Sequence, residues 1–99
     1  MGVKTYWQLR VALNNTGLQA HHVIERRFYR VVEGGLNTVN RYAVAVTRTE
    51  HQAFTNEWRS HIPFGTSGSV SIERVWEVAQ KVYADFPELL DAARRALGQ

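Results

Sequence analysis

The stretch Tyr42-Ala43-Val44-Ala45-Val46-Thr47 limits most what this chain can become. It is rich in β-formers and is bounded by turn residues, a composition that suits a strand rather than a helix. Just beyond it, Thr49-Glu50-His51-Gln52 fits a capping box with Thr49 as N-cap and Gln52 at N3, which predicts a helix to about Ser60. Ile62-Pro63 ends that helix. A second short strand is expected over Leu18 to Val23, after the break at Gly17.

The other segments read as helical support. Tyr6, Leu9 and Leu13 recur at helical spacing from Thr5, a good N-cap, and Asn14-Asn15-Thr16-Gly17 stops the run. Trp7 beside them is expected in the core. Glu25 to Val32 reads as a helix that buries Phe28, Val31 and Val32. Residues 33 to 40 read as a Gly/Asn loop in which Asn37 and Asn40 serve the turn. Residues 64 to 71 read as a flexible connector. Ile72, Val75, Trp76, Ala79, Val82 and Tyr83 form the inner stripe of an amphipathic helix. Asp85-Phe86-Pro87-Glu88 fits a second capping box, opening a last helix whose apolar face is Leu89, Leu90, Ala93 and Leu97. The expected fold is α+β and mostly helical. One domain spans 1–99, with a strand-strand-helix core at 18–62, a helix before it and a helical pair at 71–97.

Composition narrows the chemistry. With no cysteine in 99 residues, disulfides and thiolate metal sites are excluded, so a metal would need His, Asp, Glu or Asn. No apolar run of about 18 residues and no cleavable leader is present, so a soluble chain without a membrane segment is expected. The net charge of +3 is unevenly spread: residues 1–71 carry eight Lys and Arg against four Asp and Glu, and residues 72–99 carry four against five. Ten of the twelve cations are arginine, the side chain suited to bidentate phosphate contacts.

The basic part also holds all four histidines. His21-His22 sit in an apolar run followed by Glu25, Arg26 and Arg27; such a pair can supply one metal ligand and one general base. In a regular strand the two point to opposite faces, so a shared site requires the strand to end, twist or bulge. On a helical wheel His51 shares a stripe with Phe54, Thr55, Trp58 and Ile62 and faces inward. Near a helix N-terminus the dipole opposes an imidazolium, which favours a neutral ligand role. A hydrogen-bonded core histidine is the plainer alternative. Asn56 lies about 140° from His51 and His61 about 80° the other way, so both are weaker candidates. Glu25 either orients an imidazole or suits the helix dipole. Arg26, Arg27 and Arg30 either hold phosphate or form a solvated face.

Gln19-Ala20-His21-His22-Val23-Ile24-Glu25, with Thr49-Glu50-His51-Gln52-Ala53-Phe54-Thr55-Asn56-Glu57-Trp58 downstream, resembles the HNH and endonuclease VII superfamily, in particular the Ala-His-His nuclease domains at the C-termini of bacterial polymorphic toxins. The similarity covers roughly residues 18 to 62. It implies two antiparallel strands and a helix around one divalent ion (Mg, Mn, Zn or Ni), with His21 and His51 as ligands and His22 as general base. Glu25, Asn56 and His61 are possible further ligands or orienting groups, and Arg26, Arg27 and Arg30 would grip nucleic acid, DNA favoured. The second helical ligand position of the pattern is Thr55 here, no Asp precedes His22, and the middle Asn is not assigned among Asn37, Asn40 and Asn56. The resemblance further implies the C-terminal effector piece of a longer secreted protein, with Met1-Gly2 an added start. It would act in a target-cell cytoplasm and be neutralised by an acidic immunity protein. Two other readings stay open: a metal-independent His/His ribonuclease, and a non-catalytic helical domain that binds nucleic acid or protein.

Overall fold

The computed structural model describes residues Val3 to Gln99; Met1-Gly2, and with them the expectation of an added start, lie outside the described residues. The chain runs β1 (Val3–Lys4), α1 (Tyr6–Ala12), β2 (Gln19–His22), α2 (Leu36–Val39), β3 (Ala43–Val46), α3 (Arg48–His61), α4 (Ile72–Val82) and α5 (Pro87–Ala96), with 3-10 turns at Arg26–Phe28 and Phe64–Ser69. The strands form an antiparallel sheet in the order β1-β3-β2. The architecture is therefore α+β and mostly helical, as expected, with a sheet of three strands rather than two. β1 was not anticipated, because two residues are too short to leave a periodic pattern.

β3 is central and buried because alternation does not limit it to one face: Ala43, Val44 and Val46 are all buried. Its pairing sets His22 opposite Ala43 and His21 opposite Val44. Helix α3 follows at once, and its N-cap is Thr47, two residues before the predicted Thr49. Thr47 Oγ1 accepts the Glu50 N–H at 3.1 Å while Glu50 Oε1 accepts the Thr47 N–H at 2.8 Å. Thr47 with Glu50 and Thr49 with Gln52 both match the capping pattern, and the former also sets a carboxylate against the positive end of the helix dipole. Hydrogen bonding to the Thr47 backbone holds the Glu50 carboxyl below its usual range.

Three other expectations are corrected. The helix over Glu25 to Val32 is only a 3-10 turn, whose N-cap residue Glu25 makes no capping bond and instead pairs with Arg27 at 2.9 Å. The Gly/Asn loop contains the single-turn helix α2, entered through Gly34 and Gly35 at positive φ; a Cβ at Gly34 would collide with Thr38 Oγ1. The connector 64–71 is wound into a 3-10 turn, tied down by Arg27 Nη1 donating to Ser67 Oγ at 2.9 Å and by Arg27 and Arg59 lying over the Phe64 ring.

The C-terminal helices bury Val75, Ala79, Val82, Tyr83, Leu89, Ala93 and Leu97 of the predicted stripes in the core with Trp58, Phe28, Val23 and Ile24. Ile72, Trp76 and Leu90 are only partly buried, and Val78, outside the predicted stripe, is buried. The N-cap of α5 is Phe86, without a side-chain bond; Pro87 at the first helical position, and not Asp85, supplies the start signal. Trp7 also departs from expectation: it is 61% exposed, because α1 buries only Leu9. No helix among the described residues is long and apolar enough to cross a membrane.

Candidate functional site

His21 projects from β2 into the interior and, among the described residues, is the one polar or charged side chain that is buried, at 2% exposure. Its ring stacks on Phe54 at 4.9 Å between centres and meets His51 edge-on at 5.4 Å. Nε2 lies 2.9 Å from the Tyr83 hydroxyl. That hydroxyl has three partners, and counting protons fixes the histidine tautomer. Val23 O, 2.6 Å away, can only accept, so it takes the phenolic proton. Trp58 Nε1–H, 3.2 Å away, can only donate. His21 must therefore donate from Nε2–H, which leaves the Nδ1 lone pair for another partner. Burial, and then the nearby His51 and His22 charges, push the His21 pKa down to about 3. The ring is thus neutral near pH 7. Burial likewise pushes the Tyr83 hydroxyl well up, so it stays a neutral phenol.

His22 points to the other face of the strand, as alternation requires, and a site shared with His21 therefore depends on β2 ending at His22. Its ring stacks on Tyr6 at 4.2 Å, and Nε2–H donates to Asn40 Oδ1 at 2.6 Å. Nδ1 again carries the free lone pair. Burial lowers the His22 pKa against the opposing pull of the Asn40 bond, and Arg26 and His51 lower it further. A neutral, half-buried imidazole with one nitrogen anchored is equipped to take up a proton at the other.

His51 lies one turn into α3, and its backbone N–H donates to Thr47 O at 2.9 Å. Two imidazoles sharing a tetrahedral ion at metal–nitrogen distances of about 2.0 Å have ring centres roughly 5.2 Å apart. The observed 5.4 Å between His21 and His51 fits that requirement, and the free His21 Nδ1 supplies a lone pair. Neutral imidazoles suit zinc, nickel or manganese better than magnesium, which prefers oxygen. Among the described residues, no group of three or more His, Asp or Glu side chains gathers to hold a metal ion.

The remaining candidates divide. Glu25 bonds to Arg27, not to an imidazole; burial raises its pKa, while Arg27, and more weakly Arg59 and His51, lower it. Arg26 is exposed, and so is Arg30, which donates to Tyr29 Oη at 3.0 Å. Arg27 is turned inward against Phe28, Phe64 and Ser67. Asn56 is exposed and accepts from Gln52 Nε2 at 3.2 Å. His61, ten residues after His51 on the same helix, is about 15 Å further along its axis.

Three partners escaped the sequence reading: Tyr83, Asn40 and Tyr6. For Tyr83 a signal existed, since a hydroxyl on an inner helical stripe needs a buried partner. Asn40 and Tyr6 gave none that separates them from a turn residue and a packing residue. Comparison of the chain with models of protein families, with curated proteins and with solved structures finds no match.

Proposed function

We propose that the chain is a metal-dependent endonuclease that hydrolyses phosphodiester bonds, with DNA as the favoured substrate and β2, β3 and α3 as a metal-binding strand-strand-helix core. The observation that carries this reading is the meeting of His21 and His51 at 5.4 Å, with His22 next in the chain and anchored by Asn40. His21 Nδ1 and His51 would hold the ion. When bound, such an ion supplies positive charge to a phosphate oxygen and to the leaving 3′ oxygen. His22 Nδ1 accepts a proton from the attacking water. Asn40 Oδ1 fixes the ring and stabilises the imidazolium as it forms. Arg26 and Arg30 hold the backbone on either side, contacts that position a strand without reading its sequence.

The metal-free alternative needs an imidazolium as general acid. A His21 pKa of about 3 removes that residue from the role at neutral pH. The non-catalytic reading is favoured by a different observation: His21 is buried and already hydrogen-bonded to Tyr83. Cleavage of plasmid DNA and of RNA, with manganese, zinc, nickel or magnesium and with excess EDTA, separates all three. Metal-dependent cleavage that His22→Ala abolishes supports the proposal. Cleavage in EDTA supports the metal-free ribonuclease, and intact substrates under every condition leave the binding domain. As an effector domain of a secreted bacterial toxin, the chain would work in a target-cell cytoplasm and need an acidic inhibitor in the cell that makes it.

A further inference from the structure

Beside His22 lies a groove of about 370 Å³ lined by Thr5, Trp7, Leu36, Asn37, Asn40 and Arg41. Two features tie it to the candidate site. Asn40 lines the groove and also accepts the His22 hydrogen bond. Tyr6 stacks on His22 at 4.2 Å and meets Trp7 edge-on at 5.5 Å, so the three rings form a continuous row from the proposed base to the groove wall. Trp7 is 61% exposed, and the Arg10 guanidinium lies over its ring at 5.6 Å. An exposed indole has a hydrophobic cost that a solvated helix face does not require.

Charge identifies the occupant. Residues 1–24 and 34–47, which include β1, α1, β2, α2 and β3, carry Lys4, Arg10 and Arg41 and no Asp or Glu. A surface with cations, an open aromatic face and uncharged amides suits a polyanion whose units carry flat rings. Acidic peptides satisfy the charge but leave the indole without a stacking partner. A base-paired duplex offers phosphate but keeps its base faces covered. An unpaired nucleotide meets both demands, since stacking on an aromatic side chain accepts any base.

We infer that this groove is a nucleobase subsite: Trp7 stacks an unpaired base of single-stranded nucleic acid while the adjoining phosphate lies toward His22. This role rests on the endonuclease reading, which it deepens by naming single-stranded or locally opened strands as the substrate class. Asn37 and Asn40 offer amide groups to a base edge, and Arg41 offers charge to a phosphate.

The test reads binding in EDTA, apart from cleavage, using a labelled oligo(dT) and a blunt-ended, two-stranded duplex of similar length. The wild-type chain is expected to bind oligo(dT) with quenching of tryptophan emission. Trp7→Ala weakens that binding about tenfold or more, Trp7→Phe keeps most of it, and duplex affinity changes less than about twofold. The inference is overturned if oligo(dT) does not bind, if Trp7→Ala binds it as the wild type does, or if duplex affinity falls equally. Trp7-dependent binding in a protein that never cleaves would sink the nuclease reading and leave the groove standing. His22-dependent cleavage with no effect of Trp7→Ala on binding would do the reverse.

Discussion

The two halves of the molecule use charge in opposite ways. In α4 and α5 the cations have carboxylate neighbours on their own helix: Arg74 and Lys81 with Glu77, and Arg94 and Arg95 with Asp91. Arg94 and Arg95 hold the Asp91 carboxyl below its usual range. In the sheet with α1 and α2, Lys4, Arg10 and Arg41 lie on stretches, 1–24 and 34–47, that hold no acid. All four histidines lie outside α4 and α5, three of them on β2 and at the start of α3. A half whose cations are paired on their own helices has no surplus charge to offer a partner. One that leaves its cations without carboxylate neighbours is built to meet an anion.

The largest effect that would test this contrast is at His22. His22→Ala should lower cleavage by about 100- to 10,000-fold without moving the thermal midpoint by more than a few degrees. Asp91→Asn in the self-neutralising half should leave cleavage unchanged. Equal losses at both positions would mean that activity only follows folding, and the contrast would break.

Acid stability comes next. The unfolded chain takes up a proton at His21 near pH 6.5, whereas in the fold that ring stays neutral down to about 3. Stability present above pH 6.5 is therefore lost on acidification, by up to about 1.4 kcal/mol per pH unit for the metal-free protein between pH 6 and 4. His22, also lowered, adds in the same direction. Urea melts across that range should show the slope, and His21→Phe should reduce it while leaving the His22 share; a slope unchanged by the substitution assigns it elsewhere.

Tyr83 links the halves. Tyr83→Phe removes the acceptor used by Trp58 and His21 and the donor to Val23, and should cost about 1–3 kcal/mol in denaturant unfolding. Nitrogen chemical shifts should also show that His21 loses its fixed Nε2–H tautomer. A variant that keeps the tautomer would show that the tyrosine merely fills space.

Smaller still is the salt response. Arg26→Gln or Arg30→Gln should each reduce the slope of log affinity for nucleic acid against log salt by about 1, while Lys81→Gln leaves it unaltered. Asp91→Asn gives the least, a shift in thermal midpoint of no more than about 3 °C.

Much of this was legible from local pattern. Within the predicted Tyr42 to Thr47, Ala43 to Val46 is a strand because Val44 and Val46 favour extended backbone, and α4 and α5 follow most of their apolar stripes. His51 faces inward because its wheel position matches Phe54 and Trp58. Errors arose where two local signals competed or none existed. Thr47 and Thr49 both offered a cap, and the partner carboxylate decided. Glu25 to Val32 had helical spacing, but pairing of Glu25 with Arg27 and burial of Phe28 and Val32 draw it into a turn. Trp7 was placed inside on residue type alone, whereas α1 is too short and peripheral to bury a second large face.

By itself, the order of residues determined the kind of elements, the inward aim of His51 and the bias of uncompensated charge toward the first half, since these depend on neighbours within a few positions. Only the tertiary structure decided that His21 meets His51, that Tyr83 sets its tautomer from 62 residues away, and that Asn40 anchors His22. Hydrogen bonds between distant segments depend on directions in space, and no periodicity along a chain encodes those.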